Sequence, residues 1–172
     1  MQINYDAVYS AMTEVTGGLI ALFGVFIVYK LQIQRDRIKG ARETLKNIFL
    51  ASEFYVPLSE ILEFAEQKIR ELKFAPGEEK QAKVFHTNLK RYVRTYQFTV
   101  RHGAAGTGMA TILFLYYICV LHLNEYLPDP ALFFWIGFAA SLLIVSYLGW
   151  FIVQCLAKEG REYDVKKKFT EL

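Results

Sequence analysis

One carboxylate stands apart from the other ionisable groups of this chain. Glu14 opens the first apolar run, "TEVTGGLIALFGVFIVY", and no Lys or Arg precedes Lys30. A carboxylate near the end of a membrane-spanning helix faces protein or water rather than lipid. Thr13, Gly17, Ala21 and Gly24 share its side of the helix, and small residues on one face let helices approach closely. Several copies of such a helix around one axis would form a ring of Glu14 carboxylates at the outer mouth, an arrangement that selects cations. Glu14, Gly17, Ala21 and Gly24 are therefore the expected pore-lining set. Arg35, Lys39, Arg42 and Lys46 form a basic stripe further along the same helix, expected to line an inner vestibule or to contact lipid headgroups. Arg94 and Arg101 are expected to make headgroup contacts as well. The plainer reading places Glu14 at headgroup level and packs the small residues on other spans of the same chain.

Other chemistry finds no residue set. The sequence contains no G-x-S-x-G, Walker A, H-E-x-x-H or C-x-x-C motif. Its three histidines, His86, His102 and His122, are scattered. His122, Glu125 and Asp129 could gather a divalent cation, but two of them lie in one short loop, and no metal or cofactor is expected. Cys119 and Cys155 fall at different depths of their spans, too far apart for a disulfide, and read as small hydrophobes. The chain is expected not to be an enzyme. Basic and aromatic residues interleave in "KRYVRTYQFTVRHG", as on surfaces that stack bases and hold phosphates. Acidic residues accompany the basic blocks, however, so nucleic acid is not an expected partner.

The elements that must position these residues follow from hydropathy and charge. Hydrophobic residues make up 53% of 172, and mean hydropathy is +0.20. The apolar residues concentrate near 15–29, 104–123 and 131–157. All 20 Lys and Arg fall within 30–101 and 158–168, while Asp6, Glu14, Glu125 and Asp129 lie outside those blocks. Positive residues stay on the cytoplasmic side of short loops. The expected fold is thus an all-α integral membrane protein with three transmembrane helices, N-terminus out and C-terminus in. A helical cytoplasmic insert separates spans one and two. The expected segments are 1–30 (outer N-terminus and first span), 31–103 (cytoplasmic helices), 104–157 (a hairpin of spans two and three) and 158–172 (a charged tail). A cleavable signal needs a basic leading region, which residues 1–14 lack, so the first span is expected to be retained.

Pro57 and Pro76 divide the insert into three expected helices. The first continues from span one to about Tyr55, with Ile38, Ala41, Leu45, Ile48, Ser52 and Tyr55 as a seam. The second covers about 57–74, with Leu58, Ile61, Leu62, Ala65, Ile69 and Leu72 on one face. The third places Ala82, Phe85, Leu89, Tyr92, Val93, Tyr96 and Val100 on one side. Lys80, Lys83, Thr87, Lys90, Arg94, Gln97 and Arg101 lie on another. A strand over 90–100 would put Arg94 on the same face as Tyr92 and Phe98, so helix is the better reading. The charged tail reads as a frayed helix or a disordered end.

Three helices enclose no pore, so a chain of this size that conducts must oligomerise. The expected function is a homo-oligomeric membrane channel or pore-forming protein, with span one lining the pore and the cytoplasmic helices regulating it. The alternative is a non-conducting membrane anchor, adaptor or effector whose cytoplasmic helices bind a protein partner. The expected partners are the lipid bilayer, further copies of the chain and, on either reading, a cytoplasmic protein. One short span running into "YKLQIQRDRIKGARETL" resembles the layout of many small prokaryotic membrane proteins. That resemblance implies the inner (plasma) membrane, and the charge distribution implies that most of the soluble part is cytoplasmic; no motif identifies a family.

Overall fold

The computed structural model describes residues 4–49, 60–71 and 78–170. Its elements are α1 (Tyr5–Phe49), α2 (Ile61–Glu71), α3 (Glu78–Leu123), a short 3-10 turn (Asn124–Tyr126) and α4 (Pro130–Thr170). There is no strand among the described residues, and "KRYVRTYQFTV" lies inside α3. Three of the helices, α1, α3 and α4, are long and apolar enough to cross a membrane. The tail continues α4 as helix to Thr170. The expected helix end at Tyr55, the flanks of the second helix and the turn at Pro76 lie outside the described residues.

The chain divides into two compact units, one of residues 1–28 and 101–172, the other of residues 29–100. In the first unit the buried residues recur at spacings of seven on α1, of three and four on α3, and of eleven, three and four on α4. Tyr9, Thr16 and Phe23 are buried on α1; Gly103, Gly106, Ala110, Leu113, Tyr117 and Val120 on α3; Gly137, Leu148, Phe151 and Cys155 on α4. A seven-residue repeat, as on α1 and α3, keeps one seam of a helix facing its neighbours. Phe151 meets Phe23 edge-on, with centroids 5.6 Å apart, a favoured aromatic geometry.

Hydroxyl groups buried away from water need partners. Tyr9 donates to the Pro130 carbonyl at 2.6 Å, and Tyr116 to the Phe133 carbonyl at 2.7 Å. The Tyr117 hydroxyl lies 2.7 Å from Ser141 Oγ, and Ser141 donates to the Gly137 carbonyl at 2.8 Å. Both cysteines are free, Cys119 exposed and Cys155 buried.

The turn into α4 is set by "PDP". Asp129 Oδ1 accepts from the backbone N–H groups of Ala131 at 3.1 Å and Leu132 at 3.2 Å. Pro130 occupies the first helical position, where a missing N–H costs nothing. Asp129→Ala should therefore destabilise the first unit by about 1 kcal/mol, the usual cost of losing an N-cap. Asp129→Asn should restore most of the loss in a thermal-unfolding comparison.

The second unit has its own core. Ile38 and Ala41 of α1, Ala65 of α2, and Leu89 and Val93 of α3 are buried together, flanked by Leu62, Ile69, Phe85, Tyr92 and Tyr96. Val100, expected on the apolar face of α3, is 41% exposed, while Thr95 and Thr99 are buried. The seam passes from Val93 through Tyr96 to Thr99 in two steps of three, and position 100 is turned about 100° from position 99. On α2, Arg70 reaches Glu66 at 2.6 Å, and its hydrogen bond holds the Glu66 carboxyl below the usual carboxylate range.

Candidate functional site

In the first unit, Glu14 and Ala21 are exposed. Gly17 is half-buried, and a Cβ placed there would lie 3.4 Å from the Phe114 ring, so this glycine is occupied by α3. Gly24 is half-buried with open space where a Cβ would stand. The exposed side of α1 runs instead through Ala11, Glu14, Gly18, Ala21, Val25 and Val28, all exposed and at alternating spacings of three and four. This stripe faces away from the buried seam of Tyr9, Thr16 and Phe23. Apart from the carboxylate, it consists of Gly, Ala and Val. The larger Leu22 (76% exposed) and Val15 (64%) lie beside it, about 40° and 60° round the helix from Gly18. Thr13 is half-buried and donates to the Tyr9 carbonyl at 2.8 Å.

Of the basic residues in the second unit, Arg35, Lys39 and Arg94 are exposed and Arg42 is half-buried. Lys46 lies on α1, and its side chain is outside those described. Lys80, Lys83 and Lys90 are exposed as well, Lys83 pairing with Glu79 at 2.6 Å. Arg101, in the first unit, is exposed. Next to it, His102 Nδ1 lies 3.0 Å from the Tyr147 hydroxyl, and the His102 ring meets Trp150 edge-on at 5.5 Å. His122 Nδ1 lies 2.9 Å from the Ile118 carbonyl, and Asp129 is committed to its cap. No group of three metal-ligating side chains occurs among the described residues.

Sequence reasoning missed one polar cluster. In the second unit Lys30 is 5% exposed and Gln34 3%. Gln34 Nε2 donates to Thr99 Oγ1 at 3.1 Å, Thr99 donates to the Thr95 carbonyl, and Thr95 to the Arg91 carbonyl, both at 3.0 Å. Gln34 Oε1 is buried without a hydrogen-bond partner among the described residues. Lys30 had been counted only as the first charge of the basic block. Its position carried the signal, seven residues after Phe23 and fourteen after Thr16 on the buried repeat. A polar residue at such a position fixes the register of packed helices at a cost in stability.

No family model, no curated protein and no solved structure matches this chain.

Proposed function

We propose that this chain is a homo-oligomeric integral membrane protein of the prokaryotic inner membrane, whose subunits surround a cation-conducting axis lined by α1. Its N-terminus lies outside, and residues 29–100 and the C-terminus lie in the cytoplasm, where the second unit regulates the pore. The supporting observation is the exposed stripe of α1, where Glu14 stands among Ala11, Gly18 and Ala21. In a span, an outward carboxylate is costly against lipid and is relieved against water or protein. Small residues on the same stripe suit close contact between helices. The seam within each subunit is filled by Tyr9, Phe23, Tyr117 and Phe151, so a conducting path would run between subunits.

The test is the oligomeric mass of the purified protein together with ion flux from liposomes. The expected result is an oligomer that passes cations in preference to anions. Glu14→Gln should reduce that preference by roughly tenfold, the effect of removing about 1.4 kcal/mol of charge-dependent selectivity. A monomer without flux would sink the channel reading. It would favour the second, a non-conducting anchor, supported by the separate core of residues 29–100, with that unit binding a protein partner.

A further inference from the structure

A groove of about 250 Å³ opens between α3 and α4 of the first unit, bounded by Ile112 and Tyr116 on one side and by Ile136, Gly137, Ala140 and Ile144 on the other. Its lining is apolar almost throughout. The one hydroxyl at its edge, that of Tyr116, is already donated to the Phe133 carbonyl at 2.7 Å. No side chain is left there to recognise a charged or hydrogen-bonding ligand, so the occupant is a hydrocarbon. Gly137 lowers the floor: a Cβ at that position would lie 2.8 Å from the Tyr116 ring.

We infer that this groove holds one acyl chain of a membrane lipid, a reading that rests on the proposed insertion of α3 and α4 into the bilayer. Two observations favour a lipid chain over a second copy of the protein. Between helices in a membrane there is no hydrophobic gain over lipid, and association relies on small or polar residues at the surface. Here those residues are already used within the chain: Gly137 lies against Tyr116 and Tyr117, and Ser141 is bonded to Tyr117. The volume is also below the roughly 300–1,000 Å³ of pockets that enclose a whole small molecule, and suits a segment of chain. The rim is exposed, with Ile112 at 70% and Ile136 at 51%, so a chain can enter sideways from the bilayer.

The experiment reconstitutes the full-length protein in vesicles containing a phosphatidylglycerol with a diazirine midway along one acyl chain. After photolysis, adducts are mapped by mass spectrometry. Adducts should be at least fivefold denser on Ile112, Ile136 and Ile144 than on Leu22 and Leu143, which are the more exposed. Ala140→Phe, which fills the groove, should bring them down to the level at Leu22; Ile112→Ala, which widens it, should retain them on Ile136 and Ile144. Even labelling of all these positions would overturn the groove while leaving bilayer insertion in place. No labelling at any of them would instead remove the insertion on which the inference rests. Cysteines at 112 and 136 that cross-link between subunits in place of lipid labelling would assign the groove to a second copy and overturn the inference.

Discussion

Gly137→Ala should lower the stability of the first unit by about 1–3 kcal/mol, the range for overfilling a packed interior. The added Cβ would lie 2.8 Å from Cε1 of Tyr116, 2.9 Å from Cε1 of Tyr117 and 3.1 Å from the Tyr117 hydroxyl. Neither ring can swing aside cheaply, because Tyr116 is bonded to the Phe133 carbonyl and Tyr117 to Ser141. Relief would require α4 to move away from α3 or the two hydrogen bonds to lengthen. Gly106 is a milder case. A Cβ there meets the flexible end of Leu148 at 2.8 Å and the Phe23 ring at 3.0 Å, so Gly106→Ala should cost less than Gly137→Ala. Gly108 and Gly149 have open space around the same position. Alanine there should be neutral or stabilising by up to about 1 kcal/mol, since Gly is the poorer helix former. Unfolding by titration with a denaturing detergent, followed by circular dichroism, ranks the four variants. Equal effects at 108 and 137 would show that α3 and α4 do not approach as described.

Leu89→Ala should cost about 2–5 kcal/mol in the second unit, the range for deleting a buried leucine side chain. Leu89 is fully buried and packs with Ile38, Ala41, Ala65 and Val93. It also carries α2, which has only 11 residues. A helix that short is not stable in water by itself and depends on the face it buries. Hydrogen exchange along α2 should therefore accelerate sharply in the Leu89→Ala protein, while Val100→Ala, at an exposed position, should leave it within about 0.5 kcal/mol of the parent. Unchanged protection of α2 in Leu89→Ala would contradict the packing of α2 on this core.

How much of this was legible in the sequence depended on how far the faces of each helix differ in chemistry. In the second unit the outward face carries charge, so Lys80, Lys83, Lys90 and Arg94 could be set apart from Ala82, Leu89 and Val93 by residue type alone, and they are exposed and buried accordingly. Within the apolar helices the pattern loses that contrast, because a face turned to lipid is as apolar as one turned to a neighbouring helix. Existence of the three apolar helices could be read there, but not their rotation. Gly17 and Gly18 were indistinguishable by type. Only the buried repeat of Tyr9, Thr16 and Phe23 turns Gly17 toward Phe114 and leaves Gly18 beside Glu14 and Ala21. Lys30 illustrates a related limit: its type marks it only as the first charge of the basic block, whereas its place on that repeat goes with its burial.

The exposed stripe of α1 is tested most directly by cysteine cross-linking in membranes, in a Cys119→Ser background with Cys155 left buried. If subunits meet along this stripe, Gly18→Cys and Ala21→Cys should each form disulfide-linked dimers, while the half-buried Leu19→Cys and Ile20→Cys, each turned about 100° or more from both, should not. Absence of dimers at 18 and 21, or equal yields at all four positions, would contradict an α1-lined assembly.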